Sequence, residues 1–164
     1  MKPIASSWLV LVLGLSLCGC AATPPRNETG AIEFLGAAAV DILAAPTRIE
    51  GWNFQRPDGT LTSDPGIREL DLPIAKQLAD VLLNGETYRL PSRPGGFERH
   101  VGFRVYRGSE SIDIFISFAN DQMLVKYLAF NGQPTTSLAG ITAARDALLD
   151  VVHTAFPDYK PPAK

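Results

Sequence analysis

The chain has 164 residues, of which 46% are hydrophobic and 20% charged, so it suits one packed domain and is too apolar for extended disorder. Its 15 Lys and Arg nearly balance its 17 Asp and Glu. A protein that binds a phosphate backbone needs a clustered basic surface, so this balance argues against a nucleic-acid partner.

The N-terminal segment has the features of an export signal. Lys2 supplies positive charge, no acidic residue precedes Glu28, and the ten residues Trp8–Leu17 are almost all apolar. A helix that spans a bilayer needs about 20 apolar residues, so this run is too short for a settled transmembrane helix. The order of charge, apolar run and small residues is typical of a secretory signal peptide.

The apolar run ends in Leu17-Cys18-Gly19-Cys20, which resembles the lipobox of bacterial lipoproteins. In a lipobox an aliphatic residue at −3 and a small residue at −1 precede a cysteine. The resemblance implies that type II signal peptidase cuts after Gly19 and that Cys20 carries a diacylglyceryl thioether, often with a further acyl chain such as palmitate on its new amino group. Thioether formation requires a thiolate. Cys18 fits less well, because Leu17 would then occupy the −1 position.

The lipobox also implies a location and a division of the chain. Ala21 stands where the sorting rule of enteric bacteria places Asp for inner-membrane retention, so the resemblance implies an outer-membrane protein that faces the periplasm. We therefore predict four segments: a lipoprotein signal peptide (1–19), a lipidated tether (20–30), a single domain (31–157) and a loose C-terminal tail (158–164).

The first half of the domain is predicted to contain two helices and one strand. Apolar residues spaced three and four apart indicate a helix over residues 31–45, and Pro46 stops it. Residues 48–54 are predicted to form a strand, followed by a loop that reaches Leu70. The turn residues Arg56-Pro57-Asp58-Gly59 lie in this loop. The second helix is predicted from the capping residue Asp71 to Asn84-Gly85.

A three-strand antiparallel meander is predicted between His100 and Phe130. With Gly108-Ser109 as a two-residue turn, Arg104 lies opposite Asp113, and the apolar residues of the first two strands share one face. The predicted apolar pairs are Val105 with Ile112, Phe103 with Ile114, and Val101 with Ile116.

The second hairpin of the meander is predicted to turn at Asn120-Asp121. A slip by one residue would move the apolar residues to the other face of the sheet, which makes such a slip unfavourable. The predicted pairs are Phe118 with Met123, Ile116 with Val125, Ile114 with Tyr127, and Ile112 with Ala129.

The C-terminal part is predicted to be a loop followed by a helix. The helix covers residues 138–156, begins near Ser137 or Thr142, and is stopped by Pro157. The order of elements predicts an α+β fold: a three-strand antiparallel meander, to which residues 48–54 can add one strand, packed by about three helices.

The second face of the predicted meander is unusually apolar. A meander that is buried on one side only would be polar there. Either a helix covers this face and its apolar residues belong to the core, or they form an exposed patch that binds a partner. The apolar residues of this candidate interaction face are Phe115, Leu124, Leu128 and Phe130.

Known catalytic and metal-binding motifs are missing from the sequence. The two histidines, His100 and His153, lie in no HxH or HExxH motif, and no GxSxG sequence occurs. Glu98, Asp113 and Glu110 are candidate carboxylates for glycoside chemistry, but no spacing brings them together. We therefore predict no catalytic residue, no metal and no cofactor.

Two patterns bear on the partner. Basic residues at positions 89, 93, 99, 104 and 107 would allow weak binding to anionic lipid or glycan, but the interspersed Glu86, Glu98 and Glu110 favour a solvated surface. The region from Ile42 to Phe156 resembles small uncharacterised envelope lipoproteins in segments such as IEGWNF and LLDVVHTAFP, and this resemblance implies no particular activity.

The predicted function is that of a lipid-anchored cell-envelope protein. It would be attached to the membrane through its covalent lipid and would bind or scaffold an envelope protein without performing chemistry. The alternative is a small envelope hydrolase or glycan-processing enzyme, for which a pocket with a perturbed carboxylate or histidine would be expected.

Overall fold

A computed structural model describes residues 28–89, 96–128 and 132–162 of the chain. The helices are α1 (Glu28–Leu35), α2 (Ala37–Ala44), α3 (Leu72–Leu82) and α4 (Arg145–Ala155). The strands are β1 (Arg48–Asn53), β2 (Ile67–Leu70), β3 (Val101–Arg107), β4 (Glu110–Ser117), β5 (Gln122–Leu128) and β6 (Pro134–Gly140). They form one antiparallel sheet in the order β2-β1-β3-β4-β5-β6.

The fold is α+β, but the prediction of a three-strand meander is wrong, because the sheet has six strands. The predicted meander corresponds to β3–β5, and β1 is the added strand. The prediction has loops in place of β2 and of the first residues of β6, and it begins the last helix at Leu138. β2 and β6 are both edge strands. Three of the four residues of β2 are exposed, and the inward positions of β6 carry Thr135 and Ser137 in place of large apolar side chains. Their sequences therefore lack the alternation by which a half-buried strand is recognised.

The helices also differ from the prediction. The single helix predicted over residues 31–45 is interrupted at Gly36. The φ of Gly36 is 83°, which lies outside the helical range, so α1 and α2 are separate helices. α4 begins at Arg145, after a short 3₁₀ turn (Thr142–Ala144), because the residues before it belong to β6. Its end before Pro157 and the position of α3 after Asp71 agree with the prediction.

The predicted register of the first hairpin is confirmed. Gly108-Ser109 forms the two-residue turn, Gly108 has φ 60°, and Arg104 lies opposite Asp113. The predicted register of the second hairpin is wrong by two residues, since Ile114 lies opposite Val125 and not opposite Tyr127. The turn there contains four residues, 118–121, because Asp121 adopts φ 49°. A shift of two leaves every side chain on its predicted face, so the apolar pattern cannot distinguish the two registers.

The main core lies between the helices and one face of the sheet. Phe103 and Ile114, at the centre of that face, are fully buried, and the Phe103 ring lies 6.0 Å from that of Phe156 at the end of α4. Helix residues such as Leu43, Leu78 and Leu148 belong to the same cluster. The opposite face, here called the open face, carries no helix within the described residues.

After α4 the chain is packed against the domain as far as Lys160, although the prediction assigns residues 158–164 to a loose tail. Tyr159 is buried, and its ring centroid lies 5.7 Å from that of Phe118. The Gln55 side-chain amide donates to the Lys160 carbonyl at 2.8 Å, and the Lys160 N–H donates back to the Gln55 Oε1 at 2.9 Å. These contacts hold the segment beside the end of β1.

Candidate functional site: the open face of the sheet

The register of the six strands arranges the open face in rows that cross the sheet. The first row is apolar: Ile67, Trp52, Gly102, Phe115, Leu124 and Leu138. The second row is mainly charged: Glu69, Glu50, Arg104, Asp113, Lys126 and Thr136. Leu128 lies next to Pro134 in a third row.

The centre of the apolar row is an aromatic cluster. Trp52 and Phe115 stack with ring centroids 6.0 Å apart above Gly102, where a Cβ atom would lie only 2.9 Å from Trp52 Cε3. Phe54 contacts Phe115 edge-on at 6.2 Å, and Phe97 packs against the cluster. Phe115, one of the predicted interaction residues, is therefore buried, and aromatic side chains cover it instead of a helix.

Three charged residues of the second row, Glu50, Arg104 and Asp113, are held in ion pairs. Arg104 makes a bidentate contact with Asp113, with Nη2 2.8 Å from Oδ2, and this hydrogen bonding raises the pKa of Arg104 above its ordinary value. Tyr106 donates its hydroxyl to Glu50 at 2.7 Å, and Arg48 contacts the same carboxylate at 2.8 Å. Lys126 and Glu69 also lie on this face, and the Arg99 guanidinium lies 4.8 Å from the Phe115 ring centre, so the described residues of this face carry four cations and three anions. A net charge of +1 is far from the clustered positive charge that binding to anionic lipid or nucleic acid would require.

Large apolar side chains are exposed at both margins of the open face. Leu128 is 68% exposed, Ile67 60% and Leu138 43%. Near Leu128, a depression of about 340 Å³ is lined in part by Asp113, Lys126 and Pro134. Apolar groups exposed together on one face of a domain are typical of a binding surface.

Three of the four predicted interaction residues lie on this face, but their exposure differs. Phe115 is buried, Leu124 is half-buried and Leu128 is exposed, whereas Phe130 lies outside the described residues. The open face also contains Trp52, Ile67 and Leu138, which the predicted interaction face does not include. Trp52 and Phe54 alternate along a predicted strand, and this alternation was the available signal for the aromatic cluster.

The residues of the predicted anchor cannot be placed. Leu17, Cys18, Gly19 and Cys20 all lie outside the described residues, as does most of the predicted tether. Among the helices of 28–89, 96–128 and 132–162, none is long and apolar enough to cross a membrane.

The candidate catalytic residues are not brought together. Asp113 is held by Arg104, Glu110 is exposed opposite Arg107, and His153 is exposed on α4. His100 is buried at the start of β3, where its Nδ1 accepts the Phe118 N–H at 2.9 Å and its Nε2 lies 3.6 Å from Glu98. In the described part of the chain, no three His, Cys, Asp or Glu residues lie close enough to hold a metal ion.

We expect His100 to make the fold sensitive to acid. Burial lowers the pKa of His100 below its ordinary 6.5, although the carboxylate of Glu98 opposes part of this shift. The unfolded chain therefore binds more protons below about pH 6.5, and the free energy of unfolding falls as the pH drops through that value. Chemical denaturation between pH 5 and 7 measures this effect.

The matched control for this prediction is His100→Asn, in which the amide oxygen can still accept the Phe118 N–H but nothing titrates. It should be less stable than the wild type at pH 7 and should lose less stability between pH 7 and pH 5. Parallel pH profiles of the two proteins would show that His100 does not carry the effect.

Comparisons of the chain with protein-family models, with curated proteins and with solved structures found no match.

Proposed function

We propose that the chain is a lipid-anchored protein of the bacterial cell envelope that binds another protein on the open face of its sheet and performs no chemistry itself. The observation that carries the binding role is the exposure of Leu128, Ile67 and Leu138 on a face that no described helix covers. The lipobox at Leu17-Cys18-Gly19-Cys20 supports the anchor.

The chemistry of the open face favours a protein as the partner. Its exposed groups are apolar at both margins, and Glu50, Arg104 and Asp113 between them are held in ion pairs. A protein surface with an apolar patch would bury these apolar side chains without separating the two ion pairs. An anchor would add to the affinity, because it confines the protein and its partner to the same membrane surface.

The anchor is tested by substituting Cys20→Ser in the full chain, with Cys18→Ser as the matched control in the same segment. In a bacterial host fed a labelled fatty acid, the Cys20→Ser protein should lose the label and leave the membrane fraction. The Cys18→Ser protein should keep both. A Cys20→Ser protein that is still labelled would contradict the anchor.

The binding face is tested with a photoreactive side chain placed at Ile67 in intact envelopes. We expect a discrete heavier species that disappears when Leu124→Lys is added to the same chain. The same probe at Ile32, which is 45% exposed on α1, should not give this species. Equal crosslinking at both positions, or crosslinking that is insensitive to Leu124→Lys, would contradict the proposed face.

A further inference from the structure

The outer edge of β6 offers main-chain groups for pairing. At one end of the strand, Arg89 donates its N–H to the Gly140 carbonyl at 3.0 Å and accepts the Gly140 N–H at 2.8 Å. The main-chain groups of Gly140 therefore point away from β5. Because these groups alternate along a strand, those of Leu138 and Thr136 point the same way, together with the carbonyl of Pro134. Within the described residues, no strand pairs with them.

The sequence of β6 does not protect this edge. Edge strands usually avoid association by being short or by carrying charges. The opposite edge, β2, has four residues and includes Arg68 and Glu69. β6 has seven residues (PTTSLAG) without a charged side chain, and its proline stands at the first position. Repulsion between like charges therefore does not oppose the approach of a second β6.

From this edge we propose that two copies of the chain associate through antiparallel β6–β6 pairing, with a two-fold axis beside Thr136. The Thr136 N–H of each copy donates to the Thr136 carbonyl of the other, and each Leu138 N–H donates to a Pro134 carbonyl. The missing N–H of Pro134 fits this register, since proline contributes only its carbonyl. No residue of a second copy can lie opposite Gly140, because Arg89 already occupies that position, so the pairing extends only from Pro134 to Leu138.

The same register makes the two edges complementary in their side chains. Within one copy, Pro134 lies beside Leu128, and Leu138 lies beside Leu124. Pairing at Thr136 places Leu138 of one copy against Pro134 of the other, with Leu128 next in the row. Pro134 of each copy therefore lies between Leu128 of its own chain and Leu138 of the other chain. The two-fold axis repeats this contact. Such an interface is isologous and closes as a dimer.

The orientation of the two copies follows from the two-fold axis, which stands perpendicular to the sheet. Both open faces lie on one side, and both α1 helices lie on the other with the main core. This arrangement would let two anchors enter the same membrane leaflet, a consequence that rests on the proposed function. The pairing itself depends only on described residues and stands without the anchor.

The test uses Thr136→Pro, which removes the outward N–H, with Thr136→Val as the control that keeps it. Sedimentation equilibrium of the full chain in a neutral detergent should give twice the chain mass for the wild type and for Thr136→Val. Thr136→Pro should be monomeric. In the wild type, the amides of Thr136 and Leu138 should exchange hydrogen slowly, and dilution to the monomer should speed their exchange.

Circular dichroism establishes whether Thr136→Pro stays folded. If it unfolds, hydrogen exchange at the Thr136 and Leu138 amides of the wild type tests the pairing instead. A wild-type chain that is monomeric at every concentration, with rapid exchange at Thr136, overturns the proposal. A dimer that Thr136→Pro leaves intact also overturns it, because the contact would then lie elsewhere. A Thr136 amide protected only when another protein is present would assign the edge to that protein and not to a second copy.

Discussion

Replacing Asp121 with alanine is expected to lower the free energy of unfolding by about 3–5 kcal/mol, the usual cost of removing one partner from a buried ion pair. Asp121 Oδ1 accepts a hydrogen bond from Arg145 Nε at 2.8 Å, and the side chains of Asp121 and Arg145 are only 15% and 11% exposed. Without the carboxylate, the guanidinium remains buried without an anion. The alanine would also have to adopt the φ of 49° that Asp121 holds in the turn.

The position of this pair explains the size of the expected effect. Asp121 ends the turn between β4 and β5, and Arg145 begins α4, so the contact joins the sheet to the C-terminal helix. The Arg145 guanidinium also lies 5.6 Å from the ring centre of Phe118, which contacts the buried Tyr159. Loss of the carboxylate should therefore loosen this end of the sheet as well as the turn.

Urea denaturation of Asp121→Ala, Asp121→Asn and Asp146→Ala measures the loss. Asparagine tolerates the left-handed backbone and keeps an oxygen that can accept from Arg145, so its loss should be clearly smaller. Asp146 is exposed in the first turn of α4, and its removal should cost less than about 1 kcal/mol. Similar losses for Asp121→Ala and Asp146→Ala would mean that water already screens the Asp121–Arg145 pair.

The registers of the two central hairpins show how far the sequence determines the sheet. At Gly108-Ser109 the turn has a fixed length of two residues, so turn and apolar pattern together define the pairing of Phe103 with Ile114. At the second turn, the positive φ of Asp121 makes a four-residue connection available, and the apolar pattern is unchanged by a shift of two. The prediction therefore placed each side chain on the correct face but against the wrong neighbour.

The open face could be predicted only where its strands were recognised. Phe115, Leu124 and Leu128 lie on one face because they alternate with core residues along β4 and β5. Ile67 and Leu138 were missed because β2 and β6 are held by main-chain bonds to a neighbouring strand and bury few apolar side chains. The pairing of an edge strand depends on the sheet beside it, and its own residues carry little signal for it.

The second large effect is expected at Gly36, where alanine should lower the free energy of unfolding by at least the roughly 1–3 kcal/mol that a strained backbone costs. Gly36 joins α1 to α2 with φ 83° and ψ 154°, a conformation that side-chain-bearing residues rarely adopt. The Tyr127 hydroxyl lies in the space that a Cβ atom would need. Alanine must therefore strain the backbone and also displace Tyr127 or the helices.

Thermal denaturation of three variants separates these two costs. Gly66→Ala is the control, because Gly66 has no positive φ and nothing lies within 4 Å of its Cβ position, so its stability should stay close to that of the wild type. Adding Tyr127→Phe to Gly36→Ala removes the hydroxyl and should restore the steric part of the loss but not the backbone part. Full recovery in the double variant would show that Gly36 is required only for space. If the double variant regains no stability, the whole cost comes from the positive φ of Gly36. The same φ would then explain why the predicted single helix is divided into α1 and α2.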